Sequence, residues 1–210
     1  MGIRILMLNG SSNPNGNTMT ALKAFGDECM RRWVDYEIFQ IGDIPIRDCN
    51  GCRGCSETGR CVFDDDGVNE FIDKLQLADG LVVGTPVYYA HPSGRVLSFL
   101  DRVFYGKSDL YAFKPAAAIA VARRAGTTAS FDVLNKYFGI SQMPVVGSTY
   151  WNVVHGTVPG EAEQDEEGLQ TVCNAARSMI WLIKSIQLGI ETGVSPYPKT
   201  LTGKRTNFIR

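Results

Sequence analysis

Residues 3–18 read IRILMLNGSSNPNGNT, a short apolar run that ends in a polar loop containing two glycines. The nearly continuous apolar stretch Ile3–Leu8 predicts a strand buried on both faces of a parallel sheet. The loop from Asn9 to Asn17 is followed by a helical pattern over 22–33. A strand, a loop and a helix in this order predict the first unit of an α/β fold.

The alternation of strand and helix patterns continues along the chain. Further strands are predicted over 34–38, 80–84, 116–122 and 145–150, and further helices over 69–77, 95–105, 131–138 and 169–186. Five strands with helices on both faces fit a doubly wound α/β fold with a parallel sheet of strand order 2-1-3-4-5. We expect this domain to span residues 1–190, with a cysteine-rich insertion at about 43–66 and a C-terminal arm over 191–210.

Composition narrows the class of protein. The chain has 210 residues, 44% of them hydrophobic and 20% charged, which is typical of a folded globular domain. Its 21 basic and 22 acidic residues give a net charge of −1, so the basic excess of nucleic-acid-binding proteins is missing. The sequence has neither a signal-peptide pattern at its start nor an apolar run of about 18 residues. We therefore expect a cytoplasmic protein with no membrane and no nucleic-acid partner.

The first loop has the composition of a phosphate site. Hydroxyl and amide groups at Ser11, Ser12, Asn13, Asn17 and Thr18 precede or begin a helix, whose free backbone N–H groups attract anions. The loop matches neither the dinucleotide glycine pattern nor the lysine-containing triphosphate loop. A monophosphate held by neutral donors is the preferred interpretation, and a polar loop without a ligand is the alternative.

A second loop follows the predicted third strand, at the same edge of the sheet. Its residues Thr85, Pro86, Val87, Tyr88 and Tyr89 combine a proline-fixed backbone with aromatic surface, which suits the rim and face of a planar ring. An ordinary proline turn with two core tyrosines is the alternative.

A third loop follows the predicted fourth strand, and its small residues would let the backbone approach a ring closely. We expect Ala122, Arg124 and Gly126 to contact the same ligand, with an arginine, Arg123 or Arg124, near any negative charge on the ring. Surface charge or an oligomer contact is the alternative for both arginines.

The first two loops together resemble the NAD(P)H-dependent FMN reductase family of flavodoxin-like proteins. The resemblance rests on Gly10-Ser11 with Gly16-Asn17-Thr18, and on the stretch from Thr85 to Arg102. It implies that the first loop binds the phosphate of FMN and the second contacts the isoalloxazine ring. It further implies a homodimer or homotetramer and NAD(P)H as a transient electron donor.

Four of the six cysteines fall within 13 residues. Cys49, Cys52, Cys55 and Cys61 have the compact spacing with which proteins hold [4Fe–4S] clusters, although the last gap is longer than in ferredoxins. A zinc site and free thiols are the alternatives. Within a flavodoxin-like domain, this run resembles the iron–sulfur flavoproteins of anaerobic microbes. The cysteine run favours an electron carrier fed by ferredoxin, whereas a chain without a cluster would favour an NAD(P)H-dependent reductase of FMN or quinones.

Overall fold

The computed structural model describes residues 2–194 and Thr206, so most of the predicted arm over 191–210 lies outside the described residues. The strands are β1 (Arg4–Asn9), β2 (Asp35–Gln40), β3 (Gly80–Tyr88), β4 (His91–Pro92), β5 (Ala116–Ala122) and β6 (Val153–His155). The α-helices are α1 (Asn17–Met30), α2 (Cys55–Thr58), α3 (Val68–Leu77), α4 (Gly94–Tyr105), α5 (Thr127–Ile140) and α6 (Glu166–Glu191). Short 3₁₀ helices lie at Ser108–Tyr111 and Glu161–Gln164.

Five parallel strands form the sheet in the order β2-β1-β3-β5-β6. This is the predicted 2-1-3-4-5 order of a flavodoxin-like fold once the two-residue β4 is set aside. Alternate side chains of the central strand β1 serve the two faces. Ile5 and Met7 join the core under α1 and α6, whereas Leu6 and Leu8 join the core under α3, α4 and α5. Both faces of the sheet are therefore covered by helices.

The third strand is longer than predicted, because Pro86 does not end it. Pro86 stands opposite Val121 of β5 and the strand continues to Tyr88. The carbonyl of Gly84 accepts a hydrogen bond from Gly10 N, at the point where the first strand leaves the sheet. The backbone N–H and C=O groups of residues 84 and 86 point to the same side of β3, which is the side of β1. Since β1 has already ended at the level of residue 86, no strand there would accept a hydrogen bond from the N–H that proline lacks.

The predicted fifth strand over 145–150 is wrong, since the fifth parallel strand is β6. Val145 makes one isolated bridge to Ala116, and the chain then leaves the sheet. Ser148 Oγ donates to the carbonyl of Thr171 in α6 (2.7 Å), which draws this segment towards the helix. Asn152 Nδ2 donates to the carbonyl of Ala118 (3.1 Å), so a side chain takes the place of the missing strand backbone.

Candidate functional site

A cavity of about 270 Å³ opens at the carboxyl edge of the sheet, where ligands bind in folds of this class. Segments after β1, β3, β5 and β6 form its walls. The wall residues are Ser11, Asn13, Gly16, Asn17, Thr18, Pro86, Val87, Tyr88, Val121, Ala122, Arg123, Gly156, Thr157 and Pro159. The cavity thus brings together eight of the thirteen residues that the sequence suggested for a flavin site. The walls named here do not include Ser12, Thr85, Tyr89, Arg124 or Gly126.

The first loop is folded by its own side chains. Asn9 Oδ1 accepts from Ser11 N (3.2 Å), and Ser11 Oγ accepts from Asn13 N (3.1 Å). Accepting that bond leaves the Ser11 hydroxyl hydrogen available to donate. Helix α1 then begins at Asn17 with no side-chain cap from Gly16. Gly16, Asn17 and Thr18 line the cavity, and the first backbone N–H groups of the helix have no capping side chain, which suits an anion such as a phosphate.

Asn17 has a different role from the one its sequence position suggests. Its Nδ2 donates to the carbonyl of Val158 (3.0 Å), and its Oδ1 accepts from Ala162 N (3.2 Å). Both polar atoms of the amide therefore contact the segment after β6, which makes the amide a link between the first loop and that segment. A Cβ on Gly156 would lie 2.7 Å from Asn17 Nδ2 and 2.8 Å from Ala162 N, so this contact requires glycine.

The segment after β6 forms a fourth wall that sequence reasoning missed. Gly156, Thr157 and Pro159 line the cavity beside the start of α1. Glu161 accepts hydrogen bonds from the backbone N–H groups of Thr157 and Val158, which fold the segment on itself. These bonds hold the pKa of the Glu161 carboxyl below its ordinary value. The sequence contained a signal for this wall, since a Gly-Thr-Val-Pro stretch follows the apolar Val153-Val154 after one residue, His155.

The second loop is a hairpin. Tyr88 of β3 pairs with His91 of β4, and the two residues between them, Tyr89 and Ala90, both have positive φ, 52° and 59°. Positive φ at both positions is typical of a type I′ hairpin turn. Tyr89 therefore projects from the tip and is fully exposed, whereas Tyr88, at 56% exposure, lines the cavity.

Thr85 stabilises this hairpin by hydrogen bonds and is not one of the cavity walls. Its side chain is fully buried, donates to the carbonyl of Pro86 (2.9 Å) and accepts from Ser93 N (3.1 Å). Ser93 Oγ in turn donates to the carbonyl of Gly10 (3.2 Å) and accepts from Val96 N at the start of α4. One short chain of hydrogen bonds thus joins the first loop, the hairpin and α4.

The third loop presents Ala122 and Arg123 to the cavity. Arg124 is exposed and is not one of the named walls. Gly126, with φ of +90°, is the N-cap residue before α5 and packs against the hairpin, where a Cβ would collide with the backbone of Ala90. Glycine at 126 therefore sets the position of the hairpin and does not line the cavity itself.

A second cavity is lined by all four clustered cysteines. Cys49, Cys52, Cys55 and Cys61 are free thiols, and the other named walls are Asp48, Asn50, Arg53, Val62, Phe63, Arg102 and Tyr105. Positive φ at Gly51 (68°) and Arg53 (62°) turns the loop tightly between the first three cysteines. The loop thereby directs cysteines that follow one another at intervals of three residues towards one space.

Buried polar contacts hold the fourth cysteine in place. Asn69 brackets the backbone of Cys61, accepting from its N–H (2.7 Å) and donating to its carbonyl (2.9 Å). Arg102 of α4 donates from Nε to Cys61 Sγ (3.2 Å). Burial would lower the pKa of Arg102, but the carboxylate of Asp66 and the sulfur of Cys61 raise it above its ordinary value. A fixed cation therefore faces the sulfur of a candidate ligand.

The four thiols are close enough to influence one another. Burial, followed by the neighbouring Cys61, Cys49 and Cys52, raises the pKa of Cys55. In the part of the chain that the structure describes, no three cysteine, histidine or acidic side chains converge closely enough for a single metal ion. Four cysteines that line one cavity are nevertheless the donor set with which proteins hold a [4Fe–4S] cluster.

The two remaining cysteines lie on the opposite face of the sheet. Cys29 is fully buried in the core under α1 and α6, and burial raises its pKa to about 12. Cys173 is half-buried on α6 and donates weakly to the carbonyl of Ala24. Neither lines the cysteine cavity, which makes them matched controls for the other four.

Among the described residues, no helix combines the length and apolar character needed to cross a membrane.

Comparison with known proteins adds to this geometry. An iron–sulfur flavoprotein of Methanocaldococcus jannaschii is 27% identical over 193 residues, covering 88% of this chain and 100% of that protein. An iron–sulfur flavoprotein of Archaeoglobus fulgidus is 28% identical, covering 81% of this chain and 85% of that protein. The solved structure of an archaeal flavodoxin superposes with a TM-score of 0.57 at 15% identity, covering 86% and 98% of the two chains, and supports the fold.

The model of one protein family, described as NADPH-dependent FMN reductase, matches residues 3–158. The match begins one residue before β1 and ends in the segment after β6, so it includes every named wall residue of the sheet-edge cavity except Pro159, together with the whole cysteine loop. Strand order, cavity position and family match agree: this chain belongs to the NADPH-dependent FMN reductase family and is a flavin oxidoreductase.

Proposed function

We propose that the protein passes electrons through two centres, an FMN in the sheet-edge cavity and a [4Fe–4S] cluster on Cys49, Cys52, Cys55 and Cys61. The observation that carries the proposal is the convergence of these four cysteines on one cavity, separate from the cavity that suits FMN. Relatives named iron–sulfur flavoproteins, aligned over most of the chain, support it. When bound, FMN accepts two electrons and releases them singly, and the cluster exchanges single electrons.

The chain's own residues have defined tasks in this proposal. The uncapped start of α1, with the Ser11 and Thr18 hydroxyls, would hold the phosphate of FMN by neutral hydrogen bonds. Pro86, Val87 and Tyr88 would contact the ring, and Arg123 would stabilise negative charge at its edge. The hairpin and the segment after β6 would exclude water on either side.

The proposed electron donor is NAD(P)H or ferredoxin, and the proposed assembly is a homodimer or homotetramer. The family match favours a nicotinamide donor. Tyr150 and Trp151 pack edge to face at 4.7 Å, and both are about half exposed at the open side of β6, where a neighbouring subunit could cover them. Sedimentation of the flavin-loaded protein would measure the assembly.

The test is anaerobic purification followed by quantification of FMN, iron and acid-labile sulfide. We expect one FMN, four irons and four sulfides per chain, with flavin bands above a broad iron–sulfur shoulder. Substituting Cys55→Ser should remove the iron and keep the flavin. Cys173→Ser, a cysteine outside the cavity, should change neither. Retention of four irons by Cys55→Ser would contradict the ligand assignment.

A second function has a specific observation in its favour. The family model covers NADPH-dependent FMN reductases, and such a reductase of FMN or quinones would need no cluster. It predicts flavin without iron in anaerobically purified protein, together with NADPH consumption when FMN or a quinone is added. Wild-type protein that contains iron but oxidises NADPH no faster than the solution background would exclude it.

A further inference from the structure

We propose that Arg102 is a positioning residue for the cysteine loop, and that its hydrogen bond to Cys61 raises the reduction potential of the cluster bound there. The inference rests on the proposed cluster but not on the identity of the electron donor.

Every N–H group of Arg102 has a partner. Nε donates to Cys61 Sγ (3.2 Å), Nη1 donates to the carbonyl of Arg47 (3.2 Å) and to Asp66, and Nη2 donates to the carbonyl of Phe63 (3.1 Å) and to Asp66 Oδ1 (3.1 Å). A guanidinium offers five such donors in a rigid plane. The Arg102 side chain is 1% exposed and lies 5.6 Å from the centre of the Phe63 ring. One buried side chain of α4 therefore fixes four points of the loop.

The contact with sulfur distinguishes Arg102 from a purely structural residue. Hydrogen bonds to cysteinyl sulfurs are among the main determinants of iron–sulfur potentials. Reduction adds negative charge to the cluster and its sulfurs, and an N–H donor stabilises that charge. The bond from Arg102 should therefore make the cluster easier to reduce. Lysine cannot reproduce it together with the four other bonds, because its ammonium lacks the planar fork.

The variants are chosen so that the buried ion pair between Arg102 and Asp66 does not lose only one of its charges. Asp66 is also 1% exposed, so removal of Arg102 alone would leave an uncompensated buried carboxylate and could unfold the loop. Arg102→Lys keeps the charge, and the double variant Arg102→Gln with Asp66→Asn removes both charges together. Arg95→Lys is the matched control, because Arg95 also joins α4 to the cysteine-rich segment, at the carbonyls of Asp43 and Ile44, but contacts no cysteine.

The experiment is an anaerobic potentiometric titration of each flavin- and cluster-loaded protein, followed by electron paramagnetic resonance, with iron release to a chelator as a second readout. We expect both Arg102 variants to shift the midpoint to more negative potential and to release iron about ten-fold faster or more. Arg95→Lys should match the wild type. A midpoint unchanged in iron-loaded Arg102 variants, or shifted equally by Arg95→Lys, would overturn the inference.

A measurement on the wild-type protein decides the question if neither Arg102 variant folds. Protein labelled with ¹⁵N at arginine, with its cluster reduced, should show weak ¹⁵N hyperfine coupling in pulsed electron paramagnetic resonance. A spectrum without that coupling would overturn the inference. Wild-type protein that holds no iron would instead refute the proposed cluster, so the two failures are distinguishable.

Discussion

The amide of Asn17 links the first loop to the segment after β6, and substitution by alanine tests whether this segment is a wall of the flavin site. Asn17→Ala removes the hydrogen bonds to Val158 and from Ala162. The start of α1 keeps its backbone, and Glu161 still folds residues 157–161 on themselves. We therefore expect the segment to move as a unit away from the cavity while the fold is retained.

The magnitude follows from the two bonds. Each contributes about 1 kcal/mol, and Ala162, whose N–H would lose its partner, is fully buried. A loss of about 2 kcal/mol, expressed entirely in ligand binding, corresponds to affinity weaker by up to about 30-fold. Because the bonds act on a wall of the cavity and not on the phosphate, flavins with and without a phosphate should be affected alike.

The assay is a flavin-fluorescence titration of the apoprotein with FMN and with riboflavin, which lacks the phosphate. Asn17→Ala should weaken both affinities by the same factor, and Asn15→Ala, in the exposed part of the same loop, should weaken neither. Asn17→Asp should weaken FMN more than riboflavin, because it also places a carboxylate near the phosphate. A loss confined to FMN in Asn17→Ala would refute the reasoning, since it would mean that the amide contacts the phosphate directly.

Three further predictions concern the third loop, the hairpin and the opposite face. Arg123→Gln should weaken FMN binding about five-fold, because an exposed charge contact contributes about 1 kcal/mol. Arg124→Gln should leave FMN binding unchanged. Equal effects of the two substitutions in the titration would contradict the placement of Arg123 at the cavity. Gly126→Ala should lower the melting temperature by several degrees, because the new Cβ meets Ala90 at a positive φ; an unchanged melting curve would refute this. Burial raises the pKa of Glu28, but hydrogen bonds from three arginines outweigh it and lower the pKa to about 2, below the ordinary 4.5. Its stabilisation is therefore complete well above pH 4.5 and is lost as the pH falls towards 2. In urea unfolding, the difference between wild type and Glu28→Gln should fall from about 2–3 kcal/mol at pH 7 to about half of that at pH 3; a difference independent of pH would contradict the assignment.

The sequence was sufficient to predict which loops meet at the ligand edge. Carboxyl ends of parallel strands lie at one edge, so locating the strands that begin at Arg4, Gly80 and Ala116 also located the loops that follow them. The fourth wall was missed because the last strand was expected over 145–150. With the strand placed at Val153–His155, the same rule points directly to Gly156.

The direction of individual side chains could not be predicted in the same way. Thr85 and Tyr89 stand among residues that line the cavity, yet one side chain is buried beneath the hairpin and the other projects from its tip. Their orientation depends on the two positive φ angles of the turn. Glycine or asparagine at these positions would have predicted such a turn, but tyrosine and alanine do not. Arg102 was inconspicuous because its partners are distant in sequence, with Asp66 36 residues away.

Helix α4 relates the two cavities. Its capping residue Ser93 is bonded to Gly10 in the first loop, and Arg102, nine positions later, is bonded to Cys61. At 1.5 Å per residue these contacts are about 14 Å apart along the helix axis. The named walls of the two cavities have no residue in common. A rigid element therefore sets the separation of the two proposed centres, and because their walls share no residue we expect substitutions in the cysteine cavity to leave the sheet-edge cavity intact.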